Sequence, residues 1–270
     1  MHLCRPRSGA GPQVSLVLPA YNPGALVEST WREIELFRHN AIEDWEFIFV
    51  CDGCTDGTAE QLRTLAQDAG PRVRVLSYPK NRGKGYAVRL GLEEARGRWR
   101  LFTDMDLAYG FDDITRVAQT LQNGADVAIA SRDHPDSRLL LPPDMLGYLY
   151  RRRLQSMVWA KLVHWILPIT VCDTQAGLKG LSARAANILL PRLTTRGFEF
   201  DCELLTACAR LDLEVTEVPV TVRHENTLST TTLRDIPRML RKLRSIRRAW
   251  RETPAPGPLA AMELLELDAA

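Results

Sequence analysis

The sequence has no long uninterrupted apolar run, which restricts how the protein can meet a membrane. Its most apolar stretch, residues 157–169, contains Lys161 and His164 and falls short of the roughly 20 residues that a membrane-spanning helix needs. Residues 1–12 carry arginines but no apolar segment of the kind found in secretory signals. We therefore expect a cytoplasmic protein without a spanning helix.

Neither a strong net charge nor a cysteine framework is present. The 35 Lys and Arg residues are balanced by 33 Asp and Glu residues, which excludes a protein that coats polyanions with its whole surface. Of the six cysteines only Cys51 and Cys54 lie close in sequence, so we expect reduced thiols. Hydrophobic residues make up 45% of the 270 positions, which excludes disordered and collagen-like chains.

The first half of the sequence contains a regular alternation of short apolar segments with longer amphipathic ones. The pattern predicts strands at 14–19, 46–50, 73–77, 99–103 and 126–130, and helices at 25–40, 59–69, 85–95 and 117–123. This alternation predicts an α/β fold in which helices flank a Rossmann-like, mostly parallel sheet. Ligands of such sheets bind outside the carboxyl ends of the strands, so the polar segments there are candidates for a site.

The second half is less regular and contains a basic helix. Residues 144–167 form a long segment that is basic near its start, 200–211 predict a helix and 214–222 predict a strand. Residues 233–250 place apolar side chains on one side of a helix and arginines on the other. We predict a flexible arm at 1–12, one globular domain at 13–231, a basic amphipathic helix at 232–252 and a disordered tail at 253–270.

Asp104 and Asp106 follow the predicted strand at 99–103 and are candidate metal ligands. Two carboxylates one residue apart can share a hard divalent cation, and Mg²⁺ characteristically binds one or two carboxylates together with phosphate oxygens. A polar loop opening is the alternative interpretation of so short a motif.

Two further polar segments follow the second and third strands. Asp52 could accept a hydrogen bond from a nucleobase, although Asp56 or Thr58 in the same segment fits a helix N-cap. Residues 81–85, with the sequence NRGKG, place cations and backbone N–H groups at a helix start, which suits a phosphate. The spacing of this segment is not that of a P-loop.

In these segments the chain resembles the inverting glycosyltransferases of family 2, which have the nucleotide-sugar-binding GT-A fold. The matching segments are VSLVLPAYN (14–22), FVCDGCTDGT (49–58), NRGKGYAVRLGLEEARG (81–97), FTDMDLA (102–108), ASR (130–132), DTQAGLKG (173–180) and RGFEFDCELL (196–205). The last two are the most specific. They are most similar to dolichyl-phosphate β-glucosyltransferases and polyprenyl-phosphate mannose synthases.

The resemblance implies roles for the matching residues. Asp104 and Asp106 would hold Mg²⁺ or Mn²⁺ against a sugar diphosphate, and Asp173 would close the sugar site. Arg132 and one arginine among 151–153, most simply Arg152, would steer an acceptor phosphate. The implied donor-binding residues are Pro19, Ala20, Tyr21, Asn22, Asp52, Asn81, Arg82, Gly83, Lys84, Gln175 and His224.

Three departures from the family pattern bear on the donor. Cys51 and Cys54 stand where relatives usually have Asp and Ser, and Pro23 replaces a common Glu. Ala108 stands where mannose synthases tend to carry Gln, which favours glucose over mannose. The expected reaction is transfer of a hexose, with UDP-glucose as the favoured donor, to a polyprenyl or dolichyl phosphate.

The acceptor decides whether a protein base is needed. A phosphate monoester is already anionic, whereas a soluble or polysaccharide hydroxyl acceptor would require a carboxylate base, for which Asp173 and then Asp201 are the candidates. A catalytically silent nucleotide-sugar-binding module is the alternative from another functional class.

The basic helix suggests where the protein would work. Its arginines and Trp250 suit an anionic bilayer surface, and a solvated face on a packed helix is the alternative. With a lipid acceptor, we expect peripheral contact at the inner face of the membrane. The aromatic pattern of single-strand nucleic-acid platforms is missing, so nucleic acid is not an expected partner.

Overall fold

The apolar segments of the first half form the central strands of a seven-stranded sheet. The computed structural model describes residues 11–140, 157, 159–223 and 236–252. The strands are β1 (Val14–Ala20), β2 (Trp45–Asp52), β3 (Val73–Tyr78), β4 (Trp99–Phe102), β5 (Val127–Ser131), β6 (Arg138–Leu140), β7 (Lys179–Ser182), β8 (Val215–Pro219) and β9 (Thr221–Arg223). The large sheet has the order β3-β2-β1-β4-β7-β5-β8, and β6 pairs with β9 alongside it.

The sheet is parallel except for β7, which runs antiparallel to both of its neighbours. β1 lies between β2 and β4, so the chain leaves β1 towards one edge and returns on its other side. Such a reversal of strand order opens a crevice at the carboxyl ends of the strands. The predicted α/β architecture with a mostly parallel sheet is therefore confirmed.

Helices cover both faces of the sheet. They are α1 (Leu26–Asn40), α2 (Thr58–Ala69), α3 (Lys84–Glu94), α4 (Gly110–Gln122), α5 (157 and 159–166 as described), α6 (Ala183–Leu189), α7 (Phe200–Arg210) and α8 (Ile236–Glu252). Successive residues of β1 point to opposite faces, so Val17 joins one apolar cluster while Leu16 and Leu18 join the other. This two-sided burial explains why the central strands are continuous apolar runs.

Three elements differ from the sequence-based expectation. Helix α4 begins at Gly110 instead of 117, and its first turn carries Asp112 and Asp113, which the helix dipole favours. Strands β6 and β7 were not predicted, because β6 has only three residues and β7, with the sequence KGLS, lacks β-branched side chains. The segment 214–222 was expected as one strand and is divided into β8 and β9.

The apolar side of α8 packs against the domain. Leu243, Ile246 and Trp250 are each at most 3% exposed and belong to the same core cluster as residues of α7. The expectation that Trp250 and its apolar neighbours face a bilayer is therefore wrong for these residues, because burial in the core already removes them from water. Within the described part of the chain, no helix has the length and apolar character needed to cross a membrane.

Candidate active site

Asp104 lies just past the end of β4, where an ammonium group contacts it. Lys84 Nζ, at the start of α3, is 2.5 Å from Asp104 Oδ1. Burial alone would lower the pKa of Lys84, but Asp104 and Asp201 outweigh it and raise that pKa. On the other side of the carboxylate, a Cβ at Gly177 would lie only 2.4 Å from Asp104 Oδ2. The backbone at position 177 can therefore lie this close to Asp104 only because the residue is glycine.

Asp106 is exposed beside Asp104, and its Oδ1 accepts a hydrogen bond from the backbone N–H of Ala108 at 3.2 Å. No group of three or more His, Cys, Asp or Glu side chains within the described ranges is arranged to hold a metal ion. The available donor set is thus a pair of hard carboxylates that reach solvent. That set fits Mg²⁺ or Mn²⁺, because such ions complete their coordination with phosphate oxygens and water.

Asp52 connects the end of β2 to the loop that follows β3. Its two oxygens accept hydrogen bonds from the backbone N–H groups of Arg82 at 2.6 Å and Gly83 at 2.9 Å. The residue is only 3% exposed, so this carboxylate shapes the 81–84 segment directly. Its predicted contact with a nucleobase stays a prediction.

The loop after β3 is braced by two aromatic rings that the sequence did not single out. The Arg82 guanidinium lies over the rings of Tyr78 at 5.5 Å and Tyr86 at 4.8 Å, and it donates to the Tyr86 hydroxyl. Burial raises the pKa of Tyr78. These contacts hold Asn81, Arg82 and Lys84 at the crevice edge. The tyrosines could have been found from their positions at the end of β3 and one turn into α3.

The segment after β1 lies against the segment after β2. Asn22 Oδ1 accepts from the Thr55 N–H at 2.8 Å, and Cys54 Sγ donates to the Ala20 carbonyl at 3.3 Å. Tyr21 is 57% exposed, whereas Ala20 is buried, and Pro19 precedes them at the end of the strand. These contacts place Ala20 and Asn22 beside the segment that follows Asp52, and the expected nucleoside pocket at 19–22 stays a prediction.

Arg132 and Asp173 form a two-point ion pair. Arg132 Nε donates to Asp173 Oδ2 at 2.7 Å, and its Nη2 donates to Oδ1 at 2.9 Å. Burial would raise the pKa of Asp173, but these hydrogen bonds outweigh it and hold that pKa below its usual value. The Asp173 side chain is only 4% exposed and the Arg132 side chain 35%, so the pair lies at the wall of the crevice.

Beneath this wall lies a second ion pair, whose cation was not predicted. Lys179 is fully buried in β7, and its Nζ donates to Asp201 Oδ1 at 2.8 Å and to the Ala176 carbonyl. The sequence signal that could have identified it is a lysine directly after the apolar Leu178, at the position that opens β7. Gln175 links the two pairs, since its N–H donates to Asp173 Oδ1 and its Nε2 to Cys202 Sγ.

The fold connects several predicted site residues in three groups: Asp52 with Arg82 and Gly83, Lys84 with Asp104, and Asp173 with Arg132 and Gln175. Their roles in one common site stay predictions. Arg152, with its alternatives Arg151 and Arg153, and His224 lie outside the described residues, as do the arm at 1–10, residues 224–235 and the tail at 253–270. Among the described residues, the thiols of Cys51, Cys54, Cys172, Cys202 and Cys208 are free, in agreement with the expectation of reduced thiols. Burial raises the pKa of Cys51 to about 12.

Comparisons of this sequence with known proteins identify a family. The model of glycosyl transferase family 2 matches residues 15–171. The chain is 31% identical over 220 residues to the dolichyl-phosphate beta-glucosyltransferase of Drosophila melanogaster and 27% identical over 224 residues to that of Saccharomyces cerevisiae. Each alignment covers 77% of this chain and 66% of the relative, so the chain spans slightly less than two thirds of the length of these proteins.

A solved structure confirms the fold. The glucosyl-3-phosphoglycerate synthase from Mycobacterium tuberculosis, in complex with Mn²⁺, UDP-glucose and phosphoglyceric acid, aligns with a TM-score of 0.61 at 20% identity. The alignment covers 92% of this chain and 82% of that chain, which establishes the GT-A fold. Because the family model spans more than half of the 270 residues, the chain belongs to glycosyl transferase family 2.

Proposed function

We propose that the chain is an inverting glycosyltransferase that moves glucose from UDP-glucose to a polyprenyl phosphate at the cytosolic face of a membrane. The dolichyl-phosphate beta-glucosyltransferases among its relatives support the sugar and the acceptor. The complex of the structural neighbour with Mn²⁺ and UDP-glucose supports the donor and the cation.

The donor side is built from the 81–84 segment and the two acidic residues after β4. Asp104 and Asp106 would hold Mg²⁺ or Mn²⁺, which stabilises a departing diphosphate as a Lewis acid. Lys84 lies next to Asp104, where its ammonium can bind a phosphate oxygen.

The ion pairs of Asp173 and Asp201 are the observation that favours a phosphate acceptor over a hydroxyl acceptor. Asp173 is held by Arg132 with a lowered pKa, and Asp201 is paired with buried Lys179. A carboxylate with a lowered pKa and two strong hydrogen bonds is a poor general base. Both candidate bases for a hydroxyl acceptor are therefore occupied by cations, which favours an acceptor that needs no deprotonation.

A phosphate acceptor gives a balanced reaction with these residues. A phosphate oxygen attacks C1 of the glucose, the bond from C1 to the UDP oxygen breaks, and the electron pair leaves with UDP. No proton has to be removed from the acceptor. Arg132 uses Nε and Nη2 for Asp173, so its Nη1 lies outside that pair and can orient the acceptor phosphate.

The basic side of α8 supports contact with an anionic membrane. Its exposed arginines are Arg241, Arg244, Arg247, Arg248 and Arg251. Since the apolar side is packed in the core, the attraction would be electrostatic and sensitive to salt.

The reaction can be tested with labelled UDP-glucose, Mn²⁺ and a polyprenyl phosphate. We expect label in the organic phase with the unaltered protein and about a hundredfold slower transfer with Asp104→Asn, since loss of one of the two proposed metal ligands weakens the cation that would stabilise the departing diphosphate. Asp112→Asn, an exposed aspartate on α4, serves as the matched control and should remain active. Label transferred only to a water-soluble acceptor would contradict the lipid acceptor, and binding of UDP-glucose without any transfer would indicate a silent binding module.

A further inference from the structure

Phe198 is an aromatic residue that the fold presents to solvent beside the candidate site. Its exposed fraction is 72%, whereas Phe200, two positions later, is 2% exposed and packs edge-on against Phe102 at 6.0 Å. One phenylalanine thus anchors the start of α7 in the core while the other remains outside. Burying a phenylalanine side chain is favourable, so exposure of this ring leaves a large apolar surface in water without the stabilisation that burial would give.

The loop that carries Phe198 is held from three directions. The buried Glu203 carboxylate accepts four hydrogen bonds at 2.6–2.9 Å, two each from Thr194 and Thr195. The Arg196 carbonyl accepts from the Tyr86 N–H of α3 at 3.1 Å. On the far side, Lys242 Nζ of α8 donates to Glu199 Oε1 at 2.6 Å. An exposed ring on so constrained a segment is ready to bind without a large entropic cost.

The loop also lies directly against the donor side of the crevice. A Cβ at Gly83, whose φ is +100°, would lie 2.4 Å from the Arg196 carbonyl oxygen, so the two backbones touch. Lys84 Nζ lies 6.0 Å from the centroid of the Phe198 ring and 2.5 Å from Asp104 Oδ1. The centroid of the Phe198 ring therefore lies 6.0 Å from the Lys84 ammonium, which would bind the donor diphosphate. This distance is comparable to the width of one sugar ring.

We propose that Phe198 is a sugar platform: its ring packs against the C–H face of the hexose in the donor and contributes to the choice of that sugar. The inference rests on the proposed function. One face of a pyranose is apolar and carries C–H groups, and an aromatic ring offers it an electron-rich surface. The surroundings of the ring favour a hexose over an isoprenoid chain, because the Lys84 ammonium lies 6.0 Å from the ring centroid and a charged neighbour suits an amphipathic ligand.

Binding measurements with UDP-glucose and with UDP, each with Mn²⁺, separate the contribution of the sugar. We expect Phe198→Ala to weaken UDP-glucose about tenfold, which corresponds to ~1.4 kcal/mol, and to leave UDP within about twofold. Phe198→Tyr keeps the ring and should retain the affinity for UDP-glucose, whereas Phe198→Leu should not. Trp165→Ala removes an aromatic residue that is 76% exposed on α5 and serves as the matched control without effect.

Three other outcomes would each refute the proposed contact between Phe198 and the donor hexose. Equal weakening of UDP and UDP-glucose by Phe198→Ala would assign the ring to the nucleotide or to the loop structure. An unchanged donor affinity with a raised KM for polyprenyl phosphate would assign it to the isoprenoid. If the unaltered protein binds UDP but gains nothing from the glucose, the proposed donor fails together with the platform, and this result is distinguishable because it appears without any substitution.

Discussion

Lys84 and Asp104 are 2.5 Å apart between Nζ and Oδ1, so an ammonium group contacts one of the two carboxylates proposed to bind a divalent cation. The two residues come from different strand ends, since Lys84 follows β3 and Asp104 follows β4. If Asp104 holds a divalent cation as proposed, the lysine would compete with that cation in the absence of donor, and a donor diphosphate would give the lysine another partner. This arrangement would couple metal binding to nucleotide binding.

Lys84→Gln tests that coupling. Removal of the ammonium should tighten binding of Mn²⁺ alone by about tenfold, because an ammonium and a metal cation about 4 Å apart would repel by on the order of 1–4 kcal/mol. The same substitution should weaken binding of UDP, since a phosphate contact is lost. Titration calorimetry with Mn²⁺ and then with UDP measures both effects. Lys80→Gln, an exposed lysine of the preceding loop, is the control, and an unchanged Mn²⁺ affinity in Lys84→Gln would refute the competition.

The Arg132–Asp173 pair should make stability depend on pH. In the unaltered protein the pKa of Asp173 is lower folded than unfolded, so its stabilisation is present above the usual pKa near 3.8 and is lost as the pH falls through the folded value. In Arg132→Leu, burial raises the folded pKa instead, so the variant loses stability as the pH rises through it. The two proteins should therefore differ most near neutral pH.

We expect Arg132→Leu to lower the free energy of unfolding by about 2 kcal/mol at pH 7.5, below the usual cost of breaking a buried pair because the arginine is partly exposed. The difference should shrink at pH 4.5 in urea unfolding. Arg63→Leu, which removes an exposed ion pair with Glu60, should cost less than about 1 kcal/mol at both pH values. A difference between Arg132→Leu and the unaltered protein that grows towards pH 4.5 would contradict the assignment.

Lys179 and Asp201 should be coupled in stability. Lys179→Met leaves a carboxylate in a site where the lysine is fully buried, which should cost about 3–5 kcal/mol of unfolding free energy. The double variant Lys179→Met with Asp201→Leu removes both charges and should recover much of that loss. Chemical unfolding of Lys179→Met, of Asp201→Leu and of the double variant gives the three free energies that a double-mutant cycle compares with the unaltered protein. Additive losses would show that the pair does not interact.

The two sides of helix α8 should have different roles, the apolar side in stability and the basic side in membrane binding. Trp250→Ala opens a cavity in the core and should cost about 3–5 kcal/mol of unfolding free energy. Replacing Arg244, Arg247 and Arg251 with Gln should change that free energy by less than about 1.5 kcal/mol, because the side chains are exposed. The same triple variant should lose flotation with anionic liposomes at physiological salt. Failure of the unaltered protein to float would remove the membrane contact from the proposed function.

Most of the sheet was predictable because its central strands are buried on both faces. Strands β1 to β5 lie within two residues of the predicted bounds, since a strand covered by helices on both sides must be apolar throughout. Strand β7 was missed because a Lys-Gly pair opens it, and only its pairing with β4 and β5 makes it a strand. The start of α4 was missed because two aspartates hide the apolar period of its first turn.

The sequence pattern was enough to predict Asp52, the 81–84 segment and Asp104 at one edge, because parallel strands present their carboxyl ends together. Asp173 was predicted from the family resemblance alone. The partners of these residues depended on the packed structure. Arg132 and Asp173 are 41 positions apart and Lys179 and Asp201 are 22 apart, so no local periodicity connects them. Folding selects such pairs because a buried charge needs an opposite charge nearby, and the backbone decides which one is within reach.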